Sequence, residues 1–223
     1  MTATTEVGAC AVRITRLNAD GTPSTGDPQG AIVICSGIIT FNPTPEIETG
    51  DEIGPVKDSC GNICVSGKRP DPGVKWMNLE IEFCKMSFDL AELLGQETLI
   101  LDGATVVGSA IEAGGGCGSN PSNEYVAIEV WAENWECSGP LAGNEYKRYI
   151  YPKAIGYITP SSVSGDPTSY TWSGIGYANP NFGTGAFADL TPAVGATSVQ
   201  EKRDASALDV PTCASPYEYV ATP

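Results

Sequence analysis

The side chains available for chemistry are restricted, because the chain contains no histidine. This removes the commonest general base, the imidazole ligands of metal sites and every Ser-His or Cys-His nucleophile pair. Carboxylates remain, and the pairs Glu80 with Glu82 and Glu129 with Glu133 have spacings that place both acids on one strand face, as a glycosidase would need. The solvated face of any amphipathic strand has the same spacing. We therefore interpret these residues as surface carboxylates and predict that the protein is not an enzyme.

Two further segments resemble ligand sites without completing one. Cys60 and Cys64 are separated by three residues, and a second close cysteine pair is missing, so free thiols or a local disulfide are favoured over zinc. The glycine-rich segment 114–118 lacks the Lys and Ser/Thr of a phosphate loop. We therefore predict neither a metal nor a cofactor.

The charge balance excludes several kinds of partner. Twelve Lys and Arg against 27 Asp and Glu leave a formal net charge of −15, which repels a phosphate backbone and an anionic membrane surface. No stretch approaches the roughly 20 apolar residues of a membrane-spanning helix. The N-terminal residues 1–8 lack the basic and apolar regions of a secretion signal, yet the chain has eight cysteines. Synthesis inside a cell followed by existence outside it would reconcile these two features.

The apolar residues occur in short runs between turns, which predicts a mainly β fold. The chain has 26 glycines and 17 prolines, and 41% of its residues are hydrophobic. A hairpin is expected across Asp102-Gly103, and one helix is expected to begin after Ser87 and to stop at Gly95. The predicted strands cover residues 10–17, 31–41, 74–85, 125–136, 146–159 and 169–177.

Two of these strands have a clear alternation that assigns their faces. In 74–85 the core face carries Met77, Leu79, Ile81 and Phe83, and the wet face carries Asn78, Glu80 and Glu82. In 125–136 the core face carries Val126, Ile128 and Val130, and the other face carries Glu129 and Glu133. Pro152 is expected to break or bulge the strand at 146–159.

Two segments are predicted to leave the compact domain. The proline-rich segment 42–72 is long for a loop inside a domain, and we interpret it as a functional loop arm that contains one loose hairpin. The segment 196–223 has no periodicity and is interpreted as an extended C-terminal arm. The predicted organisation is one β domain over 1–195, which includes the loop arm, followed by this terminal arm.

The order of these features resembles the major tail tube proteins of long, non-contractile-tailed bacteriophages, siphophages of actinobacterial hosts. The similarity rests on CAVRITRLNADGTP, on GNICV, KRPDP and KWMNLEIEFCK, and on the ending CASPYEYVATP. The resemblance implies a β-sandwich or half-barrel with a flanking helix. It also implies a virion protein whose hexameric rings stack into a tail tube, through which the phage DNA passes during ejection.

The same resemblance implies roles for particular residues and partners. The loop arm would reach the adjacent ring, with inter-ring contacts from Pro55, Val56, Cys60, Ile63, Cys64 and Arg69. The C-terminal arm would bridge in a similar way, and the tube ends would meet the tape measure, tail terminator and distal tail proteins. An acidic lumen would let DNA slide, and Glu80, Glu82, Glu129 and Glu133 are the predicted lumen-facing residues. The alternative that these carboxylates face solvent outside the tube stays open.

A second class of protein fits the same composition. A virion-surface or secreted carbohydrate-binding β-sandwich would also be acidic and rich in aromatic residues, which crowd the second half of this chain. A polysaccharide hydrolase that uses Glu80 and Glu82 is a third and weaker reading. Self-assembly separates the first class from the second, because a sugar-binding module has no need to polymerise.

Overall fold

A computed structural model of the chain describes residues 5–24, 31–48, 56–65, 73–95, 97–111, 125–136, 139–140, 145–159, 169–181, 198–211 and 217–220. Within these ranges the protein is mainly β, and all strand pairings are antiparallel. One short α-helix and one 3-10 turn, Ala207–Asp209, complete the described secondary structure. The predicted fold class is therefore confirmed.

The strands and the helix have the following bounds. They are β1 Thr5–Leu17, β2 Ala31–Ile34, β3 Ile38–Glu48, β4 Val56–Lys57, β5 Ile63–Val65, β6 Gly73–Phe83, α1 Phe88–Gly95, β7 Glu97–Asp102, β8 Thr105–Ile111, β9 Tyr125–Glu136, β10 Gly139–Pro140, β11 Tyr146–Thr159, β12 Tyr170–Tyr177, β13 Glu201–Ala205 and β14 Tyr217–Val220.

Most strands belong to one large sheet with the order β14-β2-β1-β9-β11-β12-β6-β3. Strand β10 adds to β9, and β13 adds to the first half of β11. The pairs β4–β5 and β7–β8 form two separate hairpins. Strand β6 therefore neighbours β12 and β3, and β9 is not adjacent to it.

The large sheet curls so that strands from its two ends share one core. Val12 and Ile14 of β1 belong to the same buried cluster as Leu79 and Ile81 of β6. Strand β3 approaches β1 across the remaining seam, and Phe41 of β3 also packs against Tyr151 of β11 with ring centroids 5.3 Å apart. The result is a sandwich-like half-barrel.

The predicted strand at 31–41 is wrong as a single element. The chain turns at Gly37, whose φ of 99° lies in the left-handed region that glycine adopts without strain, and this turn separates β2 from β3. Strand β3 then continues to Glu48 through Pro43 and Pro45, which pair with Leu79 and Met77 of β6. Two prolines are tolerated because β3 is an edge strand, whose outer side does not need their missing N–H groups. The loop arm therefore begins after Glu48 rather than at residue 42.

Helix α1 closes one end of the core as predicted. The Ser87 hydroxyl accepts a hydrogen bond from the backbone N–H of Leu90 at 3.2 Å, which caps the helix. Leu90, Leu93 and Leu94 are buried. The indole N–H of Trp172 donates to the carbonyl of Leu94 at 2.8 Å, so the end of the helix is fixed to β12.

A buried asparagine fixes the turn that follows β1. The side chain of Asn179 donates to the carbonyls of Gly21 at 2.8 Å and Pro152 at 3.0 Å, and it accepts from the backbone N–H of Asn181. Pro152 lies at a register shift in β11, as predicted. The turn after β1, the bulge in β11 and the end of β12 are therefore held together.

The described part of the C-terminal segment does not extend away from the domain. Strand β13 pairs with Tyr146–Ile150 of β11, and β14 pairs with all four residues of β2. The segment 196–223 thus contributes strands to the main sheet. This corrects the predicted domain boundary at residue 195, because the sheet is not complete without β13 and β14.

Candidate functional site

One face of four adjacent strands, β3, β6, β12 and the second half of β11, presents exposed and half-buried polar side chains. The pairing registers align Asn42, Glu80, Ser173 and Tyr157 in one row across this face. The next row contains Thr44, Asn78, Ile175 and Ile155. These eight residues surround a shallow depression of about 630 Å³, and we name this surface the polar face.

The polar face is supported from below by one tryptophan. Trp172 is fully buried, and its ring lies against the backbone of Gly156 and Gly174, which pair with each other. A Cβ atom on Gly156 would lie 2.6 Å from the indole ring, and one on Gly174 would lie 2.3 Å from it. Both positions require glycine because no other residue leaves room for the ring.

Glu80 and Glu82 lie where the sequence places them. Glu80 is exposed and Glu82 is half-buried, and both project from the side of β6 opposite Leu79, Ile81 and the core. Glu46 of β3 joins the same surface, because its carboxylate accepts a hydrogen bond from the amide of Asn78 at 3.4 Å. The polar face is therefore acidic.

Glu129 does not share this surface, and its prediction as lumen-facing is wrong for the single chain. Its side chain is 0% exposed and forms ion pairs with Arg13 of β1 and Arg148 of β11. The Arg148 Nε atom lies 2.9 Å from the carboxylate. Both guanidinium groups also lie over the ring of Trp131, at 5.7 and 5.2 Å from its centroid. The carboxylate thus joins three strands at a covered face of the sheet.

Glu133 lies on β9 near the same covered region, and it is half-buried. Burial and the negative charge of Glu133 together raise the pKa of the Cys10 thiol, with burial the larger cause. Burial, Cys10 and Glu133 raise the pKa of Tyr146 in the same way. Glu133 is therefore separated from the polar face, and only Glu80 and Glu82 of the four predicted lumen residues are brought together.

At each of two borders of the polar face, one side of a strand pairs with no other strand of the described chain. Strand β3 pairs only with β6, and its exposed part runs from Thr44 to Glu48. Residues 155–159 of β11 pair with β12, and no described strand pairs with them on their other side. An open strand edge is a template for pairing with another chain. Pro43 and Pro45 restrict this on β3 by removing two donors.

The loop-arm residues are described only in part. Val56 and Ile63 lie in the hairpin β4–β5, which confirms the predicted loose hairpin, while Pro55 and Arg69 lie outside the described residues. The hairpin turn is exposed, and Asp58 accepts hydrogen bonds from Asn62 and from the backbone N–H of Cys60, which lower the pKa of its carboxyl. Cys60 is an exposed free thiol, so of the two predicted alternatives, free thiols or a local disulfide, the first applies to Cys60. Cys35 is disulfide-bonded.

The described residues contain no group of three or more acidic, cysteine or histidine side chains arranged to hold a metal. The described part of the chain also has no helix long and apolar enough to cross a membrane. No family model matches the sequence, and no curated protein matches it. What the site does must therefore be argued from its geometry.

Sequence reasoning missed several members of the polar face. Asn42 and Thr44 were assigned to the loop arm, although they pair with Glu80 and Asn78 in the sheet. Tyr157 is 61% exposed, but its strand reads as an aromatic core segment. The alternation of Tyr157 with the buried Ile158 was an available signal, whereas the pairing of β3 with β6 had none.

Proposed function

We propose that the protein is a structural subunit that self-associates into stacked hexameric rings, as the tail tube of a long-tailed phage does. The observation that carries this proposal is the polar face, an exposed four-stranded surface bordered by β3 on one side and by residues 155–159 of β11 on the other. Pairing of these two borders between neighbouring copies would continue the surface from one copy to the next. Head-to-tail contacts of this kind generate a closed ring when the rotation between neighbouring copies closes.

The charge of the face supports a channel for DNA. Glu46, Glu80 and Glu82 project from it, and the chain as a whole carries −15. DNA binding requires cationic groups that replace the counterions of the phosphates, and carboxylates oppose this. The surface of such a lumen would therefore not bind the DNA that passes through it.

Electron microscopy of the purified protein tests the assembly. We expect hollow rods or rings in negative stain, formed with a steep dependence on protein concentration. A protein that stays monomeric at millimolar concentration and in the presence of crowding agents overturns the proposal.

The lumen assignment has its own test, in which Glu80→Lys and Glu82→Lys are combined. The assembled variant should bind a short DNA duplex with an affinity that falls as salt is raised, while assembled wild-type protein should not bind it. A matched control places two lysines at Ala207 and Leu208, which are exposed on the 3-10 turn outside the polar face. DNA binding by the control and not by the first variant would place the polar face outside the tube.

A carbohydrate-binding function is the second candidate, and one observation favours it. The exposed ring of Tyr157 stands in a shallow depression beside Asn42, Glu80 and Ser173, and sugar sites combine an aromatic surface with planar polar groups. Binding to a glycan panel that is lost in Tyr157→Ala, by a protein that forms no rods, would support this function instead of the first.

A further inference from the structure

The hairpin β7–β8 carries an apolar patch that nothing in the described chain covers. The hairpin is separate from the main sheet and packs on α1. Ile100, Leu101 and Val107 are 47%, 59% and 52% exposed. Ile100 pairs with Gly108, so the opposite strand offers no side chain to cover it. Ile100 is on the face of the hairpin that carries Gly108, whereas Leu101 pairs with Val106 on the other face, so both faces of the hairpin end carry exposed apolar side chains. We name Ile100, Leu101 and Val107 the hairpin patch.

A second apolar feature lies at the seam where β3 approaches β1. A cleft of about 330 Å³ opens there, and its lining carries no charged residue. We name it the seam cleft. Ile39 stands at its rim and is 50% exposed. The lining includes Ala9, Ile39, Phe41, Pro43, Val130 and Tyr149.

The charge distribution favours contact between copies of the chain at these two surfaces. Two copies that each carry −15 repel one another, and the repulsion is weakest where few charges face each other. Between residues 98 and 110, Asp102 is the single charged residue, and the seam cleft has none. The two surfaces are thus matched in polarity and in the absence of charge.

Their positions agree with the proposed pairing of strand borders. Glu97 and Ser109 at the base of the hairpin line a pocket together with Ile158 and Thr159 at the end of β11. The base of the hairpin that carries the patch is therefore close to the end of the open stretch of β11. The seam cleft is lined by Ile39, Phe41 and Pro43 of β3, the other border strand. The hairpin is thus near β11 at one border of the polar face, and the seam cleft is at β3, the other border.

We propose that the hairpin patch of one copy docks in the seam cleft of a second copy. The contact is head-to-tail, because the two surfaces belong to different parts of the same chain, and repetition of it produces a ring or a filament. This inference rests on the proposed function and names the apolar contact within the ring. Burial of aliphatic side chains in this contact adds association energy to that of the paired strand borders.

Charge insertion tests the contact. We expect Val107→Glu to weaken self-association at least tenfold in sedimentation velocity, and Ile39→Glu at the cleft rim to do the same. The matched control is Leu208→Glu, because Leu208 is 96% exposed on the distant 3-10 turn and its substitution adds the same charge. All three positions are exposed, so the thermal unfolding midpoint should not change.

A reciprocal pair makes the test specific. Leu101→Glu and Ile39→Lys should each associate weakly alone, and an equimolar mixture of the two should recover association through the hairpin of the first and the cleft of the second. Wild-type protein that never associates overturns the proposed function itself. Wild-type protein that associates while Val107→Glu and Ile39→Glu associate equally well, or while Leu208→Glu is just as defective, overturns this contact alone.

Discussion

The two halves of the sheet differ in the burial of their polar residues, which are covered in one half and exposed in the other. In β9 the residues Ala127, Glu129 and Trp131 are as buried as Ile128 and Val130, so both faces of the strand are covered. In β6 only the Leu79 and Ile81 side is buried, and Asn78 and Glu80 are exposed. We call the first the closed half and the second the open half.

The difference shows that alternation assigns a residue to a face but does not say whether that face is covered. Ala205 at the end of β13 and the nearby Val210 pack with Trp131 on the polar side of β9, so a late part of the chain helps to close that face. A carboxylate on this side is stable only with partners, which Arg13 and Arg148 supply. No such cover exists over the polar face in the described residues.

Removal of the buried carboxylate should produce the largest effect. In Glu129→Ala the guanidinium groups of Arg13 and Arg148 lose their shared partner while 16% and 14% exposed. We expect the free energy of unfolding to fall by about 3 kcal/mol or more in urea denaturation. Glu80→Ala in the open half is the control, and its change should stay within about 0.5 kcal/mol. Equal effects at the two positions would contradict the division into halves.

A methyl group beneath the polar face should have the next largest effect. In Gly174→Ala the new Cβ meets the Trp172 ring at 2.3 Å and the Ile155 carbonyl oxygen at 2.8 Å, so the ring or the strand must move. We expect a loss of about 2 kcal/mol in the free energy of unfolding. Gly108→Ala in the hairpin is the matched control, since its Cβ meets nothing closer than 3.7 Å. A stable Gly174→Ala protein with unchanged tryptophan fluorescence would refute this account of the glycine pair.

These two cases show which structural features the sequence predicts and which it does not. Local signals predicted the cap at Ser87, the hairpin at Asp102-Gly103 and the core face of β6, because each depends on residues close in the chain. Glu129 depends on Arg13, which lies 116 positions away, and no periodicity reports that distance. Likewise Pro43 and Pro45 argue against a strand unless it is known that β3 lies at the edge of the sheet.

The loss of stability at alkaline pH should also differ between the two halves, with a smaller effect than the two substitutions above. Burial raises the pKa of Tyr151, whose hydroxyl contacts the amide of Gln200 at 2.6 Å, so the folded protein keeps the proton that the unfolded chain loses. Stability from this group is complete below the unfolded pKa of about 10 and decreases as the pH rises above it, by up to about 1.4 kcal/mol per pH unit.

We expect Tyr151→Phe to be less stable than wild type by about 1 kcal/mol at neutral pH, because the hydrogen bond is lost, and to show a flatter decline above pH 10. Thr44→Ala on the exposed polar face is the control, because it removes a hydroxyl that does not titrate in this range, and it should leave the decline unchanged. Parallel curves for wild type and Tyr151→Phe in pH-dependent thermal melts would argue that another group causes the loss.

Replacement of residues 56–69 by a short Gly-Ser linker should have the smallest effect on stability. It should nevertheless abolish tube formation. The hairpin β4–β5 pairs with no strand of the main sheet, so its removal leaves the core intact, and the unfolding midpoint should move by no more than a few degrees. Its turn is exposed, and Asp58 fixes the shape of the turn by accepting hydrogen bonds from the backbone N–H groups of Cys60 and Asn62. If that shape is for a neighbouring ring, the deletion variant will form single rings in negative stain but no tubes. Cys60→Ser, which keeps the turn, should form tubes of normal length, and full-length tubes from the deletion would remove the hairpin from the inter-ring contact.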